Sequence, residues 1–81
     1  LNFLRKIAPN LSGANLANAK NLQGINFNLV NLIGTDLTNV NLKDSTFVFA
    51  NLEGANLEGA NLEGANLEGA NLNCINHEIC N

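Results

Sequence analysis

Large apolar residues recur every five positions along nearly the whole chain. They fall at Leu22, Phe27, Leu32, Leu37, Leu42, Phe47, Leu52, Leu57, Leu62, Leu67 and Leu72, with His77 next in the series. A five-residue beat belongs neither to an α-helix, with a period of about 3.6, nor to a plain strand, with a period of about 2. Around each large residue the polarity follows a fixed order. Two before it stands a small or apolar residue, as at Ala14, Ile25, Val30, Val40, Ala50, Ala55, Ala60, Ala65, Ala70 and Ile75. One before it stands Asn, as at Asn31, Asn41, Asn51 and Asn61, and two after it stands Gly or Asn, as at Gly34, Asn39, Gly54 and Gly64.

This order predicts short extended runs joined by corners. Two inward residues flank one outward residue, which is strand alternation. Gly or Asn then supplies the positive φ that a type II turn requires at its third residue. One such unit cannot bury its apolar face alone, so successive turns must stack around a shared core, as in a solenoid. Asn beside a corner can bond nearby backbone groups, and stacked Asn residues can form side-chain ladders. Leu11 and Leu16 keep the beat, but Leu16 to Leu22 is one residue too long, which predicts a bulge or a loosened corner within Ala17–Lys20.

The purest units are Ala-Asn-Leu-Glu-Gly starting at Ala50, Ala55, Ala60 and Ala65. With the looser copies, they make residues 9–78 resemble the pentapeptide repeat family, whose pattern is A-(N/D)-L-x-x. The resemblance implies an all-β fold, a right-handed quadrilateral β-helix of about three and a half coils, each side one pentad. Residues 20 apart would then stack, giving ladders Leu22–Leu42–Leu62, Phe27–Phe47–Leu67, Leu32–Leu52–Leu72 and Leu37–Leu57–His77. Lys20, Thr35, Ser45 and His77 depart from the pattern at positions expected to face inward.

The chain reads as a single domain over residues 1–81, with a cap over 1–8, repeats over 9–78 and a C-terminal end over 79–81. The cap is expected because a solenoid end exposes unpaired backbone groups. Leu1, Leu4 and Ile7 share one helical face, and Pro9 stops the run. No stretch reaches the length of a membrane span or reads as a signal peptide. The chain opens on Leu1 rather than methionine, as a mature product or an excised piece of a longer protein would.

The formal net charge of −3 hides an asymmetry. Arg5, Lys6, Lys20 and Lys43 lie in the first half, whereas Asp44, Glu53, Glu58, Glu63, Glu68 and Glu78 follow with no basic residue among them after Lys43. The lack of a basic face argues against direct binding of nucleic acid. There is no nucleophile–base set and no phosphate-binding glycine loop, so no catalytic or cofactor-binding residues are predicted. Cys74, His77, Glu78 and Cys80 are possible metal donors, but their spacing matches no zinc module, and no metal site is predicted.

Two readings of Cys74 and Cys80 stand. In a regular coil one full side would keep them too far apart to bond. A disulfide therefore needs the chain to leave the β-helix after Asn76 and curl back; otherwise both are free thiols. A disulfide would favour the periplasm or the thylakoid lumen, where the resemblance places some relatives; free thiols would suit the cytoplasm.

Outward apolar residues stand out on so polar a scaffold. Leu29 and Phe49 share one corner position a coil apart, Val48 adjoins Phe49, and Ile33 lies on the neighbouring side. These four residues are the candidate contact surface for a protein partner or a second copy. The reading is a non-enzymatic scaffold or interaction module. The resemblance also offers an alternative, a DNA-mimicking inhibitor or protector of a type II topoisomerase such as gyrase. In four-sided geometry Glu53, Glu58, Glu63 and Glu68 fall on four different sides. Only Glu58 and Glu78 would stack like with like, and Lys43 would pair with Glu63 across coils.

Overall fold

The computed structural model describes residues 9–81. The helical cap expected over Leu1–Ala8 lies outside the described residues. Parallel bridges join Asn21 to Asn41, Asn26 to Thr46, Asn31 to Asn51, Asp36 to Asn56, Asn41 to Asn61, Thr46 to Asn66 and Asn51 to Asn71. Each joins residues 20 apart, so four five-residue sides complete one turn of the chain. Every bridge is isolated because a side offers only a few extended residues before the next corner.

Backbone pairing between coils is repetitive. Leu42 N–H donates to Asn61 O at 2.8 Å, Asp44 N–H to Glu63 O at 2.9 Å, and Asn61 N–H in return to Val40 O at 3.1 Å. Corners close by a bond across four residues, as from Ala55 N–H to Leu52 O at 3.0 Å. Gly54, third in that turn, has φ +68°, the conformation of a type II turn. The Asn ahead of each large residue has a local task. Its Oδ1 accepts the N–H two residues on, at 3.1 Å from Asn51 to Glu53 and 3.0 Å from Asn61 to Glu63. That N–H takes no part in the backbone pairing between coils. Where Thr46 replaces Asn, Asn28 of the adjacent coil supplies the acceptor instead, 2.8 Å from Val48 N. Asn side chains also meet between coils, as Asn41 with Asn21 at 3.4 Å.

Asp36 fills one of these Asn positions. It accepts from the Thr38 hydroxyl at 2.6 Å and the Thr38 N–H at 3.0 Å. The side-chain bond, then the backbone bond, holds its carboxyl below the usual carboxylate range. A folded pKa below the unfolded value means that this contribution to stability is present above about pH 4 and is lost as pH falls through the folded value. Thr38→Val is expected to raise the Asp36 pKa, read by NMR titration of the carboxyl carbon, and to flatten the acid side of the stability profile. An unmoved pKa would assign the shift to something other than the Thr38 hydroxyl.

The column core forms as the pattern predicts. Leu32, Leu37, Leu42, Phe47, Leu52 and Leu57 are fully buried, with Val40, Ala50 and Ala55 lining the same interior. The Phe27 and Phe47 rings stack, with centroids 5.2 Å apart. Thr35 and Ser45 are buried yet satisfied. Thr35 Oγ1 donates to Leu32 O at 3.0 Å, and Ser45 Oγ donates to Leu22 O at 2.8 Å while accepting from Ile25 N–H at 3.2 Å. Lys20 does not face inward. The extra residue coils into a 3-10 turn over Ala17–Ala19, and Lys20, at φ +58°, turns out to solvent. The first bridges, Asn10 to Asn31 and Asn15 to Asp36, therefore span 21 residues, and the register then settles at 20.

A second shift was not legible in the sequence. The last bridge, Asn56 to Ile75, spans 19 residues. Ile75 N–H donates to Ala55 O at 2.9 Å, the role that the five-residue beat gives to Asn76. Cys74 consequently takes the buried inward place, and Ile75, expected inside, is 48% exposed. The ladder Leu37–Leu57–His77 therefore stops at Leu57, and regular pairing ends at Ile75, short of Glu78. Asn76, at φ +67°, carries the chain away from the coil.

Candidate functional site

Leu29 and Phe49 occupy the same corner in successive coils and are 62% and 64% exposed. Their backbones are held together through Val48, whose carbonyl accepts from Leu29 N–H at 2.9 Å. Both sit where other corners carry glycine, at φ +66° and +57°. A bulky side chain in this left-handed region is uncommon and costs on the order of 1–2 kcal/mol. The Phe49 ring lies over the next corner, where a Cβ added to Gly69 would collide with it. Val48 is half-buried, and Ile33 is exposed one corner further along the coil. The structure thus gathers Leu29, Val48 and Phe49 at one corner and leaves Ile33 at the next. Ile25, 40% exposed, and Ile75 add apolar surface that the sequence pattern assigned to the interior.

The acidic residues form a belt. Lys43 Nζ lies 3.6 Å from Glu63 Oε1, the expected pairing across coils, with both side chains well exposed. The expected stacking of Glu78 on Glu58 is not formed, because the chain has left the coil before residue 78. Glu78 and Glu63 instead both line a groove of about 340 Å3, with Leu62 and Ile79 among its walls.

The C-terminal tail is a clasp. Cys74 and Cys80 form a disulfide with their Cα atoms 5.1 Å apart. The sequence required departure from the coil for this bond, and departure occurs at Ile75–Asn76, by way of the shortened last side. The tail then folds back over the coil end. Cys80 N–H donates to His77 O at 3.0 Å, and Asn81 N–H donates to Leu72 O at 2.8 Å. His77 Nε2 lies 3.1 Å from Ala60 O, and Nδ1 lies 3.2 Å from Ile79 N–H. Together these contacts define the tautomer in which Nε2 carries the proton and donates while Nδ1 accepts. Ile79 and Cys80 pack against the core. Among the described residues, no group of three or more His, Cys, Asp or Glu is placed to hold a metal ion. No helix among them is long and apolar enough to cross a membrane.

A stacked-column core, glycine corners and a clasped end define a repeat solenoid with a polar shell. The family described as pentapeptide repeats matches residues 10–47 and 45–76, in eight copies. The chain belongs to the pentapeptide repeat family, and its fold is a right-handed β-helix. Among solved structures it is similar to a pentapeptide repeat protein, Rfr23, from the cyanobacterium Cyanothece 51142. The identity is 35%, with a TM-score of 0.74, over 82% of this chain and 46% of that one. It is also similar to HetL, a pentapeptide repeat protein involved in heterocyst differentiation regulation from the cyanobacterium Nostoc sp. strain PCC 7120. There the identity is 32%, with a TM-score of 0.39, over 78% of this chain and 34% of that one. The chain thus spans less than half the length of either protein. Among curated proteins, none matches it.

Proposed function

We infer that this chain is a non-enzymatic scaffold, a four-sided β-helix of about three and a half coils at 20 residues each, that meets a protein partner or a second copy through the Leu29–Val48–Phe49 corner. The observation that carries the reading is the backbone conformation of Leu29 and Phe49. Glycine adopts that conformation freely, so two large apolar side chains there weaken the fold while enlarging its apolar surface. Such a cost fits a surface selected for contact. The side chains that fill the interior leave the polar shell and corners to carry function. The disulfide suits an oxidising compartment such as the periplasm or thylakoid lumen. No observation favours the topoisomerase-inhibitor alternative, since the acids encircle the axis and the one expected acidic stack is not formed.

The test separates stability from contact. Leu29→Gly is expected to stabilise the protein by about 0.5–1 kcal/mol, the relief of left-handed strain less the added freedom of the unfolded chain. The double variant Leu29→Gly/Phe49→Gly is expected to lose self-association in sedimentation equilibrium, or cross-linking from a photoreactive group at position 33. A double variant that associates and cross-links as the parent does would remove this corner as the contact surface.

A further inference from the structure

The C-terminal coil end is only half closed. In each inner coil the large residue and the corner residue two further on donate their N–H groups to carbonyls of the next coil, as Leu42 and Asp44 do. The tail takes up that place for Leu57, through Ile75, and His77 takes Ala60 O. Beyond it, two sides remain uncovered. Among the described residues, the N–H groups of Leu62, Gly64, Leu67 and Gly69 have no partner, and the carbonyls of Ala65 and Ala70 accept no hydrogen bond. Leu62, Ala65, Leu67 and Ala70 are only half-buried here, whereas Leu42 and Phe47, a coil below in the same columns, are fully buried.

We propose that this ledge binds an extended, basic segment of a partner protein by strand addition. The backbone argument sets the shape. Carbonyls two residues apart would meet Leu62 and Gly64, and a second pair five residues later would meet Leu67 and Gly69, as the coil below already does. Unpaired strand edges of this kind are templates for pairing. The side chains set the chemistry. Lys43 already stacks on Glu63 from the coil below, so this corner column accepts opposite charge at one coil's spacing. A lysine or arginine at the next level would meet Glu63 from the other side, and a second would meet Glu68. The groove beside the ledge suits such a residue, with Leu62 and Ile79 along an aliphatic stem and Glu63 and Glu78 at its cationic head. Residues 44–81 carry no basic side chain, and a basic partner segment would supply the complementary charge. This site is separate from the Leu29–Phe49 corner and does not depend on it.

The probe is an acetylated decapeptide, two copies of Ala-Asn-Leu-Lys-Gly, which is the chain's own repeat with lysine in place of glutamate. The control peptide keeps the glutamates. Amide exchange is followed by NMR on the disulfide-bonded protein. In the free protein the Leu62, Gly64, Leu67 and Gly69 amides should exchange fast. The lysine peptide should slow all four, and the control should not. Glu63→Lys/Glu68→Lys should weaken the lysine peptide roughly tenfold and admit the control. Equal protection by both peptides, protection by neither, or protection confined to other amides would overturn the proposal. So would protection of the four amides without peptide, whether independent of protein concentration, which would place this chain's own residues there, or rising with it, which would place a second copy. Loss of contact at the Leu29–Phe49 corner would leave these outcomes unchanged, so the two readings fail separately.

Discussion

Replacing Phe47 by alanine is expected to lower the unfolding free energy by about 3–5 kcal/mol, the largest effect of any single truncation in this chain. Phe47 is fully buried, stacks on Phe27 below, and lies under the half-buried Leu67. The void would open inside the single hydrophobic cluster that residues of all four sides share. Backbone bonds between coils hold the four sides in place around it, as from Phe47 N–H to Asn66 O at 2.7 Å, so the site can close only in part. Two controls sharpen the result. Phe47→Leu should recover most of the loss, because leucine occupies the same place in the other columns. Phe49→Ala, two residues away and exposed, should change stability by no more than about 0.5 kcal/mol. Urea titration with an unchanged slope measures all three. A Phe47→Ala loss below about 1 kcal/mol would mean that the columns do not carry the stability of the coil.

Removing the disulfide is also expected to have a large effect. With a sequence separation of six, the closed loop is small, and its loss is expected to cost roughly 2 kcal/mol. The damage should be local at first. The Cys80 and Asn81 amides, bonded to His77 O and Leu72 O, and the Ile75 amide, bonded to Ala55 O, should lose protection from exchange before Leu52 does. Cys74→Ser/Cys80→Ser and reduction of the parent should agree. Tail amides that stay protected without the bond would show that His77, Ile79 and Asn81 hold the clasp unaided. Cys74 sits in the buried inward place, so the bond anchors the tail to the core rather than to a mobile surface.

Much of this architecture is visible in individual residues. Leu32, Leu52 and Phe47 announce the interior because only an inward column explains large apolar residues every five positions. Gly54 and Gly64 announce corners because they supply the positive φ that other residues resist. Asn51 and Asn61 announce the same corners from the other side, through their bonds to Glu53 and Glu63. The Lys43–Glu63 pair follows from the 20-residue register that the family resemblance implies. What escaped the sequence is a matter of register and ends. Nothing in Asn73-Cys74-Ile75 marks the side that is one residue short, since the beat continues on paper through His77. That shift moved Ile75 outward, put Cys74 inside and cancelled the stacking of Glu78 on Glu58. Leu29 and Phe49 were legible as exposed, but not as strained, because a backbone dihedral is a property of the folded corner.

By itself, then, the sequence determined the repeat, the inward positions and the corners, and the stacking of residues 20 apart rested on the family resemblance. The first three are local consequences of five residues repeated, and repetition averages out single exceptions. The tertiary structure decided whether the two cysteines meet, where the coil stops, which amides at its end stay unpaired and which apolar residues remain in water. Those depend on how the last coil meets the one beneath it, a contact between residues about 20 apart that no single pentad encodes.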